Sequence, residues 1–290
     1  LSLMVLIFSL NKWEMMINGS GWIHFLAFTG FYCHYLVLER VWRGEERKND
    51  HIWLLILPWI VTIGMAGPYC AIYTVVLLLT YGFRTVLGNV RGEPWEKRYL
   101  LYGVSAVAPL FLYMVSSSLA EPEKLGVADV PLLTQLLDTP GFFLRFFIKS
   151  FASMAVGVEC AQAVFSSNLP YYILGAVVMA GYGLALWQQW RYSLYEETIF
   201  PLMLLCAGGL NHILILVSRW VFLREDYGMS SRYALQFQVG ILGMALTFGL
   251  VWKKMADGEM PKGRTRGLWA VAGKVLTRCF MAGITILLLA

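Results

Sequence analysis

The chain has 290 residues, of which 58% are hydrophobic and only 14% charged, and its formal net charge is +5. A soluble domain carries about a quarter charged residues, so an ordinary soluble enzyme or nucleic-acid-binding domain is excluded. A basic excess instead fits the Lys- and Arg-rich cytoplasmic loops of a membrane protein.

Apolar stretches set the organisation. Several reach the roughly 20 residues that span a hydrocarbon core, and the fold expected is an all-α polytopic transmembrane bundle of about eight membrane-crossing segments. Leu1 to Leu10 reads as the tail of one helix, followed by a polar-aromatic loop from Asn11 to Ser20. Gly21 to Leu38 spans, and the loop Glu39 to Asp50 carries Arg40, Arg43, Arg47 and Lys48. His51 to Phe83 is too long for one straight helix, since at 1.5 Å per residue it would extend about 50 Å against a core of about 30 Å. Gly67-Pro68 near its middle predicts a hairpin of two short helices, 52–66 and 69–84, because Pro breaks a helix and Gly permits the turn. Tyr99 to Leu119 spans next. Residues 120–170 form a long outer-face loop with an aromatic segment, Phe142 to Phe151, expected to be an interfacial helix. Tyr171 to Trp190, Ile199 to Val221 and Val239 to Trp252 complete the spans, and a last helix contains Lys274 and Arg278. The chain begins and ends within apolar runs, so it reads as a single integral membrane domain, 1–290, cut from a longer protein.

Threading these helices puts loops 39–50, 84–98, 191–198 and 253–266 on one side, with fourteen of the 23 Lys and Arg. The opposite loops, 120–170 and 219–238, hold six. The richer side is therefore expected to be cytoplasmic, with the protein in a bacterial inner membrane. The agreement depends on the break at Gly67-Pro68, without which the two flanking basic loops would face opposite sides.

Residues that can carry chemistry gather on the outer side. Arg219 precedes the stretch Arg224 to Tyr233, which packs both charge signs beside aromatics and hydroxyls. Two readings fit: an anion site in which Arg219 and Arg232, with Tyr233, clamp phosphate oxygens, or a solvated loop anchored at the headgroups. Arg145 and Lys149 are four residues apart and share a helix face. They suit either the head of a lipid carrier or ordinary phospholipid. Glu159 lies among small apolar residues, where an acid is a functional candidate by default; as a surface residue it would simply face water. Glu159, Asp226 and Glu14 are the acid/base candidates. Asn211 and His212 sit inside a span after Gly208-Gly209, placed for bonding between helices or for a proton relay. The five cysteines show no CxxC or Cys/His spacing and read as packing residues. No metal or cofactor motif is present, nor is a GxSxG, HExxH or phosphate-cradling Gly loop.

Two stretches carry a resemblance. Phe8-Ser9-Leu10-Asn11-Lys12-Trp13-Glu14 resembles the F-S-x-x-Q-W-E-N signature of a large group of bacterial polytopic membrane proteins, and Ser230-Ser231-Arg232-Tyr233 resembles the S-R-Y signature near their end. Lys12 stands where Gln is usual and Met15 where Asn is usual. Members of this group resemble GT-C glycosyltransferases and O-antigen polymerase-like proteins. The resemblance implies handling of envelope polysaccharide or lipid-linked sugar, with a polyprenyl-phosphate-linked sugar as partner and membrane lipid as surroundings. A transporter or flippase, and a non-catalytic subunit of an envelope assembly complex, are the alternatives. The segments 11–20, 145–159 and 219–233 are expected to converge on one outward-facing cavity, with Arg232 pointing inward to Glu14 or Glu159.

Overall fold

The computed structural model describes residues 13–17, 21–66, 69–119, 128, 130–157, 162–163 and 165–258. Among them every regular element is helical: α1 Trp13–Ile17, α2 Gly21–Trp42, α3 Asp50–Val61, α4 Cys70–Val90, α5 Lys97–Ser118, α6 Leu132–Asp138, α7 Pro140–Ala152, α8 Leu169–Arg191, α9 Leu194–Glu197, α10 Phe200–Arg219 and α11 Ala234–Ala256. Five of these, some extended by a flanking 3₁₀ turn, are long and apolar enough to cross a membrane: α4, α5, α8, α10 and α11. The chain is thus an all-α, polytopic integral membrane protein. Of the other expected segments, α2 is not among the five and α3 with its following turn is a shorter apolar helix, while the apolar runs at the two chain ends and the helix with Lys274 and Arg278, which entered the expected total of about eight, lie outside the described residues. Two compact units result, Met15–Lys124 and a second made of Leu1–Glu14 with Leu125–Ala290.

In the unit Met15–Lys124, α2 to α5 form a bundle whose directions can be read from side-chain pairs. Along α2 and α4 the pairs His24–Tyr69, Phe31–Tyr73 and Trp42–Phe83 advance together, so these two helices run parallel. Likewise His51 Nδ1 meets Tyr102 Oη at 2.6 Å and Ser105 Oγ donates to the Leu55 carbonyl at 2.6 Å, so α3 and α5 run parallel. The α2–α3 and α4–α5 connections therefore share one end of the bundle, as the split near Gly67-Pro68 requires. Gly67 and Pro68 themselves lie outside the described residues. The regular part of α3 stops at Val61 and a π-helical turn, Thr62–Ala66, follows. The second arm differs from its expected length: α4 continues to Val90 rather than 84. Both shared-end connections stop their helices in the same way. Gly44 (φ +72°) and Gly92 (φ +71°) adopt the left-handed conformation that glycine tolerates. The Gly44 and Glu45 N–H groups donate to the Val41 and Arg40 carbonyls, and those of Gly92 and Glu93 to Asn89 and Gly88, which is the Schellman pattern.

In the other unit, α10 and α11 pack as an antiparallel pair with α8 and α7 against them. Glycine permits the approach: a Cβ on Gly208 would come within 2.5 Å of the Gly240 backbone, and one on Gly243 within 2.8 Å of the Leu205 nitrogen. The core draws Phe146 and Phe151 from α7, Val178 and Tyr182 from α8, Leu205 from α10, and Phe237, Met244 and Phe248 from α11. Membrane helices lack a hydrophobic drive to associate, so such close packing and the polar bonds below hold the unit.

Candidate functional site

The segment α7 decides the geometry. Its phenylalanines recur at helical spacing, and Phe143, Phe146, Lys149, Ser150, Phe151 and Ala152 are buried against α8, α10 and the 3₁₀ turn Glu225–Met229. Burial brings Lys149 inward until its side chain is only 2% exposed. An ammonium so placed needs opposite charge, and the turn supplies it. Lys149 Nζ lies 2.7 Å from Asp226 Oδ1 and 3.4 Å from Glu225 Oε2. Arg145, one turn earlier and half exposed, donates from Nε to Glu225 Oε1 at 2.5 Å. Tyr172, in the first turn of α8, donates its hydroxyl to Glu225 Oε2 at 3.0 Å, and its ring lies under the Lys149 ammonium. Burial alone would push the Glu225 carboxyl up, but the bonds from Arg145 and Tyr172 and the Lys149 charge outweigh it and hold it below the usual carboxylate range. Burial would likewise lower the Lys149 ammonium, and the bond to Asp226 reverses this and raises it.

A second group forms around Ser231–Tyr233. Arg219 ends α10, and its guanidinium lies over the rings of Tyr233 (5.8 Å) and Phe222 (5.9 Å). Its Nε is buried without a hydrogen-bond partner. Arg232, next to Tyr233 in sequence, reaches Glu14 with Nε 3.3 Å from Oε2. Ser231 Oγ donates to the same carboxylate at 2.5 Å. The pair sits at the surface, with the Arg232 side chain 70% exposed and Glu14 25%.

The candidate residues thus fall into two sets and not around one cavity, and Arg232, expected to point inward, meets Glu14 at the surface. Arg145, Lys149 and Asp226 meet in one ion cluster with Glu225 and Tyr172; Arg219, Arg232, Tyr233 and Glu14 gather with Ser231. Glu159 lies outside the described residues. His212 is fully buried: its ring is stacked between Phe151 (3.9 Å) and Phe237 (4.0 Å), and its Nδ1 meets Ser150 Oγ at 2.9 Å. Asn211 donates to the Ala207 carbonyl. Both residues lie in the helix packing of this unit.

Sequence reasoning did not single out Glu225, Tyr172, Ser150 or Ser231 as site residues. Glu225 and Ser231 stood within the quoted stretches, beside Asp226 and Arg232. Ser150 and Tyr172 carried no signal beyond a hydroxyl near a helix end. Among the described residues no cluster of His, Cys, Asp and Glu is arranged to hold a metal ion. Cys33, Cys70 and Cys206 are free thiols, and Cys160 and Cys279 lie outside the described residues. Comparisons with protein-family models, with curated proteins and with solved structures find no match to this chain.

Proposed function

We propose that this protein handles a polyprenyl-phosphate-linked sugar of the bacterial cell envelope, binding the lipid phosphate through Arg219 and Arg232 beside Tyr233. The observation that carries this reading is the Arg219 guanidinium, which lies over the Tyr233 ring with its Nε buried and without a hydrogen-bond partner. Arg219 has no carboxylate within ion-pair distance among the described residues, and Arg232 keeps most of its surface open. A guanidinium fork matches phosphate oxygens, and two of them beside a phenol form a small anion-attracting site at the ends of membrane helices. Glu14, hydrogen-bonded to Ser231 and paired with Arg232, is the nearest acid and the candidate acid/base if the protein is a GT-C-like glycosyltransferase. Arg145, Lys149 and Asp226 hold α7 in place and do not contact the carrier.

One observation favours a second reading, a non-catalytic subunit of an envelope assembly complex. The carboxylates Glu225, Asp226 and Glu14 are each spent on a cation. The test is binding and turnover of a polyprenyl-phosphate sugar by the purified protein in proteoliposomes. Arg219→Ala and Arg232→Ala should each weaken binding by about tenfold, the loss expected for a charged hydrogen bond to phosphate. Glu14→Gln should abolish turnover and spare binding. Binding without wild-type turnover selects the subunit reading; unchanged binding in both Arg variants overturns the phosphate site.

A further inference from the structure

We infer that the cleft between α2 and α3, in the unit Met15–Lys124, is a site for one anionic phospholipid, with the headgroup held by Arg47 and Lys48. This assignment is independent of the lipid-linked sugar reading. The cleft is open to the surface, has a volume of about 490 Å³ and is lined by Cys33, Val37, Trp53 and Leu57 below and by Arg40, Arg47, Lys48, Asn49 and Asp50 above. On α2, residues 33, 37 and 40 follow one another at four and three positions, so they stack on one face. On α3, residues 50, 53 and 57 do the same. From Cys33 to Arg40 the apolar wall rises about 10 Å, the depth of a headgroup region plus the first methylenes of an acyl chain. The cavity lies within the range of sites that bind small molecules.

The mouth is pre-shaped. Arg40 donates from Nε and Nη2 to the two Asp50 carboxylate oxygens at 2.9 and 2.5 Å, and the Arg47 N–H donates to the same carboxylate at 3.0 Å. Gly44 turns the chain by its left-handed backbone. These bonds fix the connection with Arg47 and Lys48 exposed above the cleft. Arg40 and Arg43 each have a carboxylate partner, in Asp50 and Glu45. Among the described residues neither Arg47 nor Lys48 lies within ion-pair distance of one. Two exposed cations with no carboxylate in direct ion-pair contact among the described residues, over an apolar slot, are complementary to an anion carrying hydrocarbon. A soluble anion would leave the slot unfilled, and an apolar helix of a second copy would leave the charges unmatched.

The experiment is native mass spectrometry of the purified protein with phosphatidylglycerol and phosphatidylcholine of identical acyl chains. The wild type should retain one phosphatidylglycerol per chain, preferred over phosphatidylcholine by about 30-fold, the selectivity of two basic residues at an anionic headgroup. Arg47→Ala with Lys48→Ala should bring the preference close to unity with an unchanged melting temperature, because both side chains are exposed and the Arg47 N–H bond survives. Cys33→Trp, which fills the slot, should lower retention of both lipids. Arg47→Glu with Lys48→Glu should invert the preference, a readout that loss of folding would not produce. No preference in the wild type, a preference that survives the double substitution, displacement of the lipid by millimolar glycerol phosphate, or a lipid-free dimer would each overturn the assignment.

Discussion

The buried ammonium of Lys149 gives the most exacting test of the fold. Replacing Glu225 by Gln and Asp226 by Asn together leaves a cation, 2% exposed, with no carboxylate near it. Breaking a fully buried pair costs about 3–5 kcal/mol. Here the lower end applies, because the Asp226 side chain is 41% exposed and Glu225 21%. Asp226→Asn alone should cost only about 1 kcal/mol, since Glu225 remains 3.4 Å away. Lys149→Met should be close to neutral, because Glu225 keeps Arg145 and Tyr172 and the stem volume is preserved. Added to the double variant, Lys149→Met should restore most of the lost stability. At about 2–4 °C per kcal/mol for a domain of this size, the double variant should melt about 6–12 °C below wild type in detergent, and the triple variant close to it. The pH dependence follows from the same cluster. The Glu225 pKa is depressed below its ordinary 4.5, so its stabilisation is present above that value and is lost as pH falls through the folded pKa. The Lys149 pKa is raised above its ordinary 10.5, so its contribution is complete below that value and is lost as pH rises through the folded pKa. The gap between wild type and Glu225→Gln should therefore stay constant from about pH 6 to 9 and close below pH 4.5. A double variant melting with wild type would refute the packing of α7 on the 225–229 turn.

Two further outcomes follow from the packing and the topology. Gly208→Leu places a Cβ 2.5 Å from the Gly240 backbone, which cannot move aside as a side chain can, so it should cost 3 kcal/mol or more, beyond the usual ~1–3 for overpacking; Gly183→Ala, with nothing within 4 Å, should be neutral or stabilising in the same melting assay. Cysteines at exposed Lys48 and Asn89 should label from the same side of intact cells or vesicles, because the α2–α3 and α4–α5 connections share an end, and labelling from opposite sides would refute the bundle directions; Gly92 and Gly258 are unsuitable positions because their φ values are positive.

Much of the architecture was legible because it follows from the solvent. Apolar length predicts spans, and the excess length of 51–83 demanded a break, whatever its local form. The full extent of α4 was not legible, because Arg84 was read as the start of a loop. The helix instead carries Arg84 in its last two turns, paired to Glu93 and Glu96. The candidate site was legible as an inventory and not as an arrangement. The run Arg224 to Tyr233 showed charges of both signs, but pairing across 77 and 80 positions, Lys149 with Asp226 and Arg145 with Glu225, depends on α7 turning one face into the core. A spacing of four places Arg145 and Lys149 on one side of a helix and leaves unstated how far each is buried.

That difference in burial orders the cations by what they can still bind. A phosphate reaching Lys149 would have to displace two carboxylates from a buried ammonium and leave Asp226 without its cation, a penalty that the new contact does not exceed. At Arg232 it would compete with one carboxylate at an exposed pair, where the interaction being replaced is weak. At Arg219, and at Arg47 and Lys48 in the other unit, no carboxylate has to be displaced. Anion binding should therefore be strongest where the fold has left a cation without a partner and apolar surface beside it. By this criterion the ion cluster on α7 is scaffolding, and the two remaining groups are where a lipid phosphate would be recognised.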